Sequence, residues 1–317
     1  MRDILLTMQL ADDITAYYFA HTSLLSEAKR FHFATRTAAW LGTQDAFSLL
    51  HENKNYILEP GTSLKDTLAV IYHAPQTGRR NAHEARQPYF EKYPTLYGAH
   101  QVLFRVRHLK EVLGVDARQE LYEIISKEEL VELKEMLLTD IPALRALSTF
   151  AVNFCYLVDR VILEDEASSL PEQFAAVGQT YEINSAEQRQ LLIYLNTHCI
   201  IGESRFYTRH INNETLPLYT EMLKTIEPLI EEYFESTSLD SKLEFLVSAK
   251  ICGYESALAQ SIYDECQDSL STRGTFLIDR HNSHAKSENE SMSNAEHRNA
   301  LFIMSATSYS PHSTLIS

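Results

Sequence analysis

Glycine and proline are scarce in this chain, nine of each in 317 residues, which argues against a turn-dense β-sandwich and against a flexible array. Long apolar runs are also missing. Nothing approaches the roughly 18 consecutive apolar residues of a membrane span, and the opening segment from Met1 to Asp13 has too short an apolar stretch for a secretion signal. Cysteine is limited to Cys155, Cys199, Cys252 and Cys266, scattered and without any Cys-x-x-Cys pair. That spacing fits no zinc module and predicts free, buried thiols in a reducing, cytoplasmic setting. Basic residues are outnumbered, 28 Lys and Arg against 43 Asp and Glu, for a formal net charge of −15. A surface of that sign excludes general affinity for nucleic acid or anionic membrane, although a local basic pocket stays open.

The familiar chemical motifs are absent as well. There is no glycine-rich phosphate loop, no Gly-x-Ser-x-Gly elbow, no His-Glu-x-x-His and no Glu-x-x-His pair. Asp12-Asp13 lacks the third acid of an aspartate-rich diphosphate motif. No metal and no cofactor are therefore expected. His281, His284 and His297 lie in or beside a polar stretch where histidines are solvated, which is poor support for a closed metal site.

What is present is helical. A Ser, Thr or Asp followed three residues later by an acid or amide recurs at Ser63, Asp116, Ser126, Ser169, Ser185, Thr237 and Ser293. Each is a potential capping box, and most precede a run of apolar residues at helical spacing. The fold expected is all-α, a bundle of about ten to thirteen helices around a buried N-terminal helix over residues 11–41. Further long helices are expected over 96–113, 141–164, 186–201, 216–234 and 239–252, with Pro228 kinking or splitting one of them. Strand signals at 56–58 and 275–278 have too few neighbours to build a sheet. Residues 1–280 read as one all-helical domain and 281–296, rich in Ser, Asn and Glu, as a polar mobile loop. Residues 297–317 read as a segment docking on the body or on a partner.

The stretch 11–41 is apolar on several sides yet carries His21, Glu27, Arg30, His32 and Arg36. Ionisable groups on a buried helix must find partners, a ligand or water. A second segment repeats its chemistry. Glu27, Arg30, Phe31, His32 and Arg36 parallel Glu203, Arg205, Phe206, Tyr207 and Arg209, each an acid before Arg-Phe, a hydrogen-bonding ring and a second Arg. Arginine suits a partly buried, planar contact with an anion. Two functional readings follow. With no catalytic motif, the first is a helical interaction or regulatory protein with a protein partner or a second copy of itself. The alternative is an enzyme or receptor for a phosphate- or carboxylate-bearing small molecule. Its pocket would be lined by Arg30, Arg36, Arg205 and Arg209, balanced by Glu27 and Glu203, with His32 or Tyr207 moving protons. A broad exposed apolar patch near 297–312 favours the first reading; a concave pocket joining the two Arg-Phe segments favours the second.

Overall fold

The computed structural model describes residues 2–58, 63–74, 85–165, 169–278 and 288–312, with side chains from residue 5 onward and, in the last stretch, from residue 291. Among the described residues the fold is all-α, with sixteen α-helices and a single isolated antiparallel bridge between Leu270 and Leu277.

The chain opens with α1 (Arg2–Ala20) and α2 (Glu27–Leu41), so the continuous helix expected over 11–41 is broken. A 3-10 turn at Thr22–Leu24 intervenes, and the Ser26 hydroxyl caps α2 by accepting from the Lys29 amide. The apolar stripe runs through this break because both helices bury residues against the same neighbour, α16. Then follow α3 (Gln44–Asn53), α4 (Leu64–Tyr72), α5 (Gln87–Lys92), α6 (Leu96–Leu113), α7 (Arg118–Tyr122) and α8 (Lys127–Thr139). The expected helix over 141–164 is also interrupted. α9 (Ile141–Leu147) and α10 (Thr149–Leu157) meet at a bend of 105°, and Val158–Leu163 continues as a π-helical turn. No single helix among the described residues is long and apolar enough to cross a membrane.

The second half comprises α11 (Leu170–Gly178), α12 (Ala186–Glu203), α13 (Leu216–Glu232), α14 (Leu239–Cys252), α15 (Ala259–Asp268) and α16 (Glu288–Ala306). α13 runs through Pro228 without splitting. Residues 56–58 belong to a short 3-10 turn and its end rather than to a strand. The polar segment expected as a loop over 281–296 divides. Residues 281–287 lie outside the described residues, whereas 288–296 are the first half of α16, and Ser293 stands inside the helix rather than at its start. Polar partners hold this stretch where apolar periodicity is weak. The Asn299 side chain accepts from the Leu277 amide and donates to the carbonyls of Leu277 and Ala295, and Glu296 is fully buried.

α12, α14 and the second half of α16 form the middle of the molecule. α10 and α13 flank α12, while α1 and α2 cover α16. α14 is buried along most of its length, and Leu301 to Met304 of α16 are fully enclosed. The C-terminal apolar pentamer thus packs on the body of its own chain. All four cysteines are free and buried.

Candidate functional site

α2 presents His32 and Arg36 one turn apart on the same face. That face looks toward α6, the end of α12 and the start of α16. Glu203 ends α12, and the chain then makes an unusual turn. Arg205, Phe206 and Tyr207 have φ of 50°, 54° and 79°, three consecutive non-glycine residues in the left-handed region. Each costs about 1–2 kcal/mol and persists only where surrounding contacts enforce it. Those contacts are present. The buried Ser204 hydroxyl donates to the Ile201 carbonyl and accepts from the Tyr207 amide. The Arg205 carbonyl accepts from Arg107 at 3.3 Å and from the Thr208 hydroxyl at 2.9 Å, and the Tyr309 hydroxyl donates to the Arg209 carbonyl at 2.7 Å.

This turn drives Phe206 between two neighbouring cavities. Its ring lies 4.5 Å below the Arg107 guanidinium and 5.0 Å from Phe104. The inner cavity, about 230 Å³, takes His32, Thr35 and Arg36 from α2, Phe104, Arg107 and His108 from α6, and Asn153 and His198 from α10 and α12. Phe31, Phe206 and Tyr207 complete much of its wall. The outer cavity, about 270 Å³, shares Arg107 and Phe206 and adds Lys110, Glu111, Arg160, Arg205 and Arg209. Its far wall is the π-helical turn, a distortion found often at functional sites.

Behind the inner cavity lie two buried carboxylates. Glu296 is 2.6 Å from His32 Nδ1 and 3.4 Å from Lys29 Nζ. Burial alone would raise its pKa, but His32, Arg36 and Lys29 hold it at about 2. Glu244 is likewise opposed by burial and held well below the usual carboxylate range by His198 and His297. Arg36 Nη1 donates to His297 Nδ1 at 2.5 Å, which leaves the hydrogen on His297 Nε2 to reach Glu244 at 3.3 Å. Burial and the neighbouring Arg36 push His32 down to about 4, and burial with Arg107 and Arg105 pushes His108 well below its ordinary value. At neutral pH the cavity therefore offers the neutral imidazoles of His32 and His108 beside permanent guanidinium charge.

Of the residues expected at a site, His32, Arg36 and Tyr207 meet in the inner cavity, with the Arg36 guanidinium 5.7 Å from the Tyr207 ring. Arg205 and Arg209 line the outer cavity. Three others lie elsewhere. Glu27 is exposed on the first turn of α2. Arg30 donates to the Leu25 carbonyl at the same helix start. Glu203 is in a closed network, accepting from Arg160 at 2.8 Å and from the Tyr219 hydroxyl at 2.9 Å. Arg107, His108, Asn153, Glu244 and Glu296 were not anticipated. A signal existed for Glu244, an acid flanked by Leu243 and Phe245 on α14, and for Arg107-His108 within the apolar stripe of α6. Glu296 was hidden by the polar composition around it.

Among the described residues no group of three or more His, Cys, Asp or Glu side chains is arranged to hold a metal ion. No family model, curated protein or solved structure matches the chain.

Proposed function

We propose that the protein binds a small organic anion in the inner cavity. One observation carries this reading. The wall contains two arginines, three histidines, a tyrosine and an asparagine, and no carboxylate among the described residues that line it. Arg36 is placed to take the acidic group, with Arg107 beside it already paired with Glu111 at 2.6 Å, while Phe31, Phe104 and Phe206 enclose an apolar body. The size agrees: a dry cavity of about 150 Å³ accommodates benzene, so about 230 Å³ leaves room for a six-membered ring and one acidic group. The strained turn at 205–207 supports the reading, since strain of this kind clusters at ligand clamps.

The partner reading has less support. The apolar residues of the C-terminal segment that would have formed an exposed patch are buried in α16. The most exposed large apolar side chains are Leu5, Leu6 and Met8 on α1 and Val70 on α4. Four unpaired, buried thiols fit the cytoplasmic setting.

The test is a thermal-shift titration with benzoate, benzenesulfonate and phosphate against chloride at matched ionic strength. Binding at a hundredfold excess over Kd contributes about 2.7 kcal/mol to the folded state, so an aryl anion should raise Tm by several degrees. Arg36→Met should remove that gain. If chloride does as well, or if Arg36→Met keeps the full shift, the reading fails.

A further inference from the structure

The inner cavity holds an imidazole with one nitrogen already committed. His32 Nδ1 lies 2.6 Å from Glu296 Oε1, and the Glu296 side chain is fully buried. An ionised carboxylate only accepts hydrogen bonds, so Nδ1 carries the hydrogen and Nε2 keeps its lone pair. Among the described residues no hydrogen-bond partner meets Nε2, and the ring lines the cavity. A carboxylate behind an imidazole fixes the tautomer and stabilises the imidazolium once a proton arrives, the arrangement that serves general bases. A pair with a purely bracing role has no need to present its second nitrogen to a cavity.

In the empty cavity burial and Arg36 hold the His32 imidazole neutral and weakly basic, and an anion held there offsets that effect. Arg36 follows His32 by one turn, and Arg107 stands in the opposite wall. The charged and titratable groups facing His32 are Lys29 and Arg36 on its own helix, His108 from α6, and Glu296 and His297 from α16. Of these, only Glu296 is a carboxylate, and it sits on the Nδ1 side.

We propose that His32 and Glu296 form an acid–base pair that takes a proton at Nε2 from a C–H or O–H group of a small organic acid held by Arg36 and Arg107. In that step the X–H bond breaks, its electron pair stays on the substrate atom, and an N–H bond forms at Nε2. Glu296 balances the new imidazolium, and the two arginines face the charge left on the substrate. No oxidant, metal or second substrate is required. The inference rests on the inner cavity binding an organic anion.

Benzenesulfonate is a suitable probe because its sulfonate stays ionised, so any proton taken up on binding goes to the protein. Isothermal titration at pH 5.5 in two buffers of different ionisation heat gives the number of protons absorbed per ligand bound. An anion in contact with His32 raises its pKa from about 4 by about 1–3 units, so the wild type should absorb between about 0.2 and 0.9 of a proton. His32→Gln should bind with no such uptake, and His108→Gln should keep it. Binding without uptake, or uptake unchanged in His32→Gln, overturns the acid–base pair and leaves the anion pocket standing. If the wild type does not bind the probe, the pocket and the pair fall together. Long-range ¹H–¹⁵N spectra of the unmodified protein supply a second reading. They should show His32 protonated on Nδ1 alone when free and on both nitrogens when bound, and an Nε2–H tautomer in the free protein contradicts the proposal.

Discussion

Glu296 shows how a single buried charge organises its surroundings. It gathers Lys29 and His32 from α2 onto α16, and its side chain has no exposure. Glu296→Gln keeps the shape and removes the charge, which weakens a charge-assisted hydrogen bond at a site closed to water. The expected cost is about 2 kcal/mol, read from urea unfolding; an unchanged midpoint would mean that the pair contributes nothing to stability. Gly202 illustrates a different constraint. A Cβ there would lie 2.5 Å from the Tyr156 ring, whose hydroxyl is held 2.8 Å from that of Tyr219. Gly202→Ala should therefore overpack α12 against α10 and cost about 1–3 kcal/mol. A neutral result would show that Tyr156 can shift without penalty.

Elements were legible where their ends carry their own chemistry. α6 and α14 end at Leu113 and Cys252, as the sequence predicts, and the glycines that follow, Gly114 and Gly253, adopt left-handed conformations with φ of 67° and 62°. Ser63, Ser126 and Ser185 cap α4, α8 and α12, and Ser126 with Glu129 forms a full capping box. The break between α1 and α2 was invisible for a physical reason. Ser26 is followed at the third helical position by Lys29 instead of an acid, so the capping signature is missing. The turn at 205–207 could not be read either, because Arg, Phe and Tyr give no hint of positive φ. It yields a prediction of its own. Arg205→Gly should relieve one left-handed residue and raise stability by about 1 kcal/mol, read from urea unfolding. A loss of stability would show that the contacts of the Arg205 side chain outweigh the strain of its backbone.

At the scale of the molecule, the buried histidines set the response to acid. Burial holds His100 at about 3 and His108 well below its ordinary value, whereas both titrate near 6.5 in the unfolded chain. Below pH 6.5 the unfolded chain therefore binds protons that the folded chain does not. Stability is full above that pH and declines as pH falls toward the folded pKa, by about 1.4 kcal/mol per pH unit for each histidine. Glu244 and Glu296 act later, since a depressed carboxylate loses its contribution only as pH falls below about 4.5. Urea midpoints should thus drop between pH 6.5 and 5; a flat profile there would contradict the burial of these histidines.

The site was half legible. His32, Arg36 and Tyr207 stood out because ionisable groups on apolar segments need partners, and Arg205 and Arg209 followed from the repeated Arg-Phe pattern. Their separation into two cavities depends on Phe206 and Arg107, whose meeting is a tertiary event. Binding of an organic anion in the inner cavity is open to direct view in a crystal soaked in 4-bromobenzenesulfonate. Anomalous scattering locates the bromine independently of the surrounding density. One bromine should lie among Phe31, Phe104 and Phe206, with the sulfonate against Arg36 and Arg107. A bromine found only at the surface, or a sulfonate bound only by surface lysines, would contradict binding in the inner cavity.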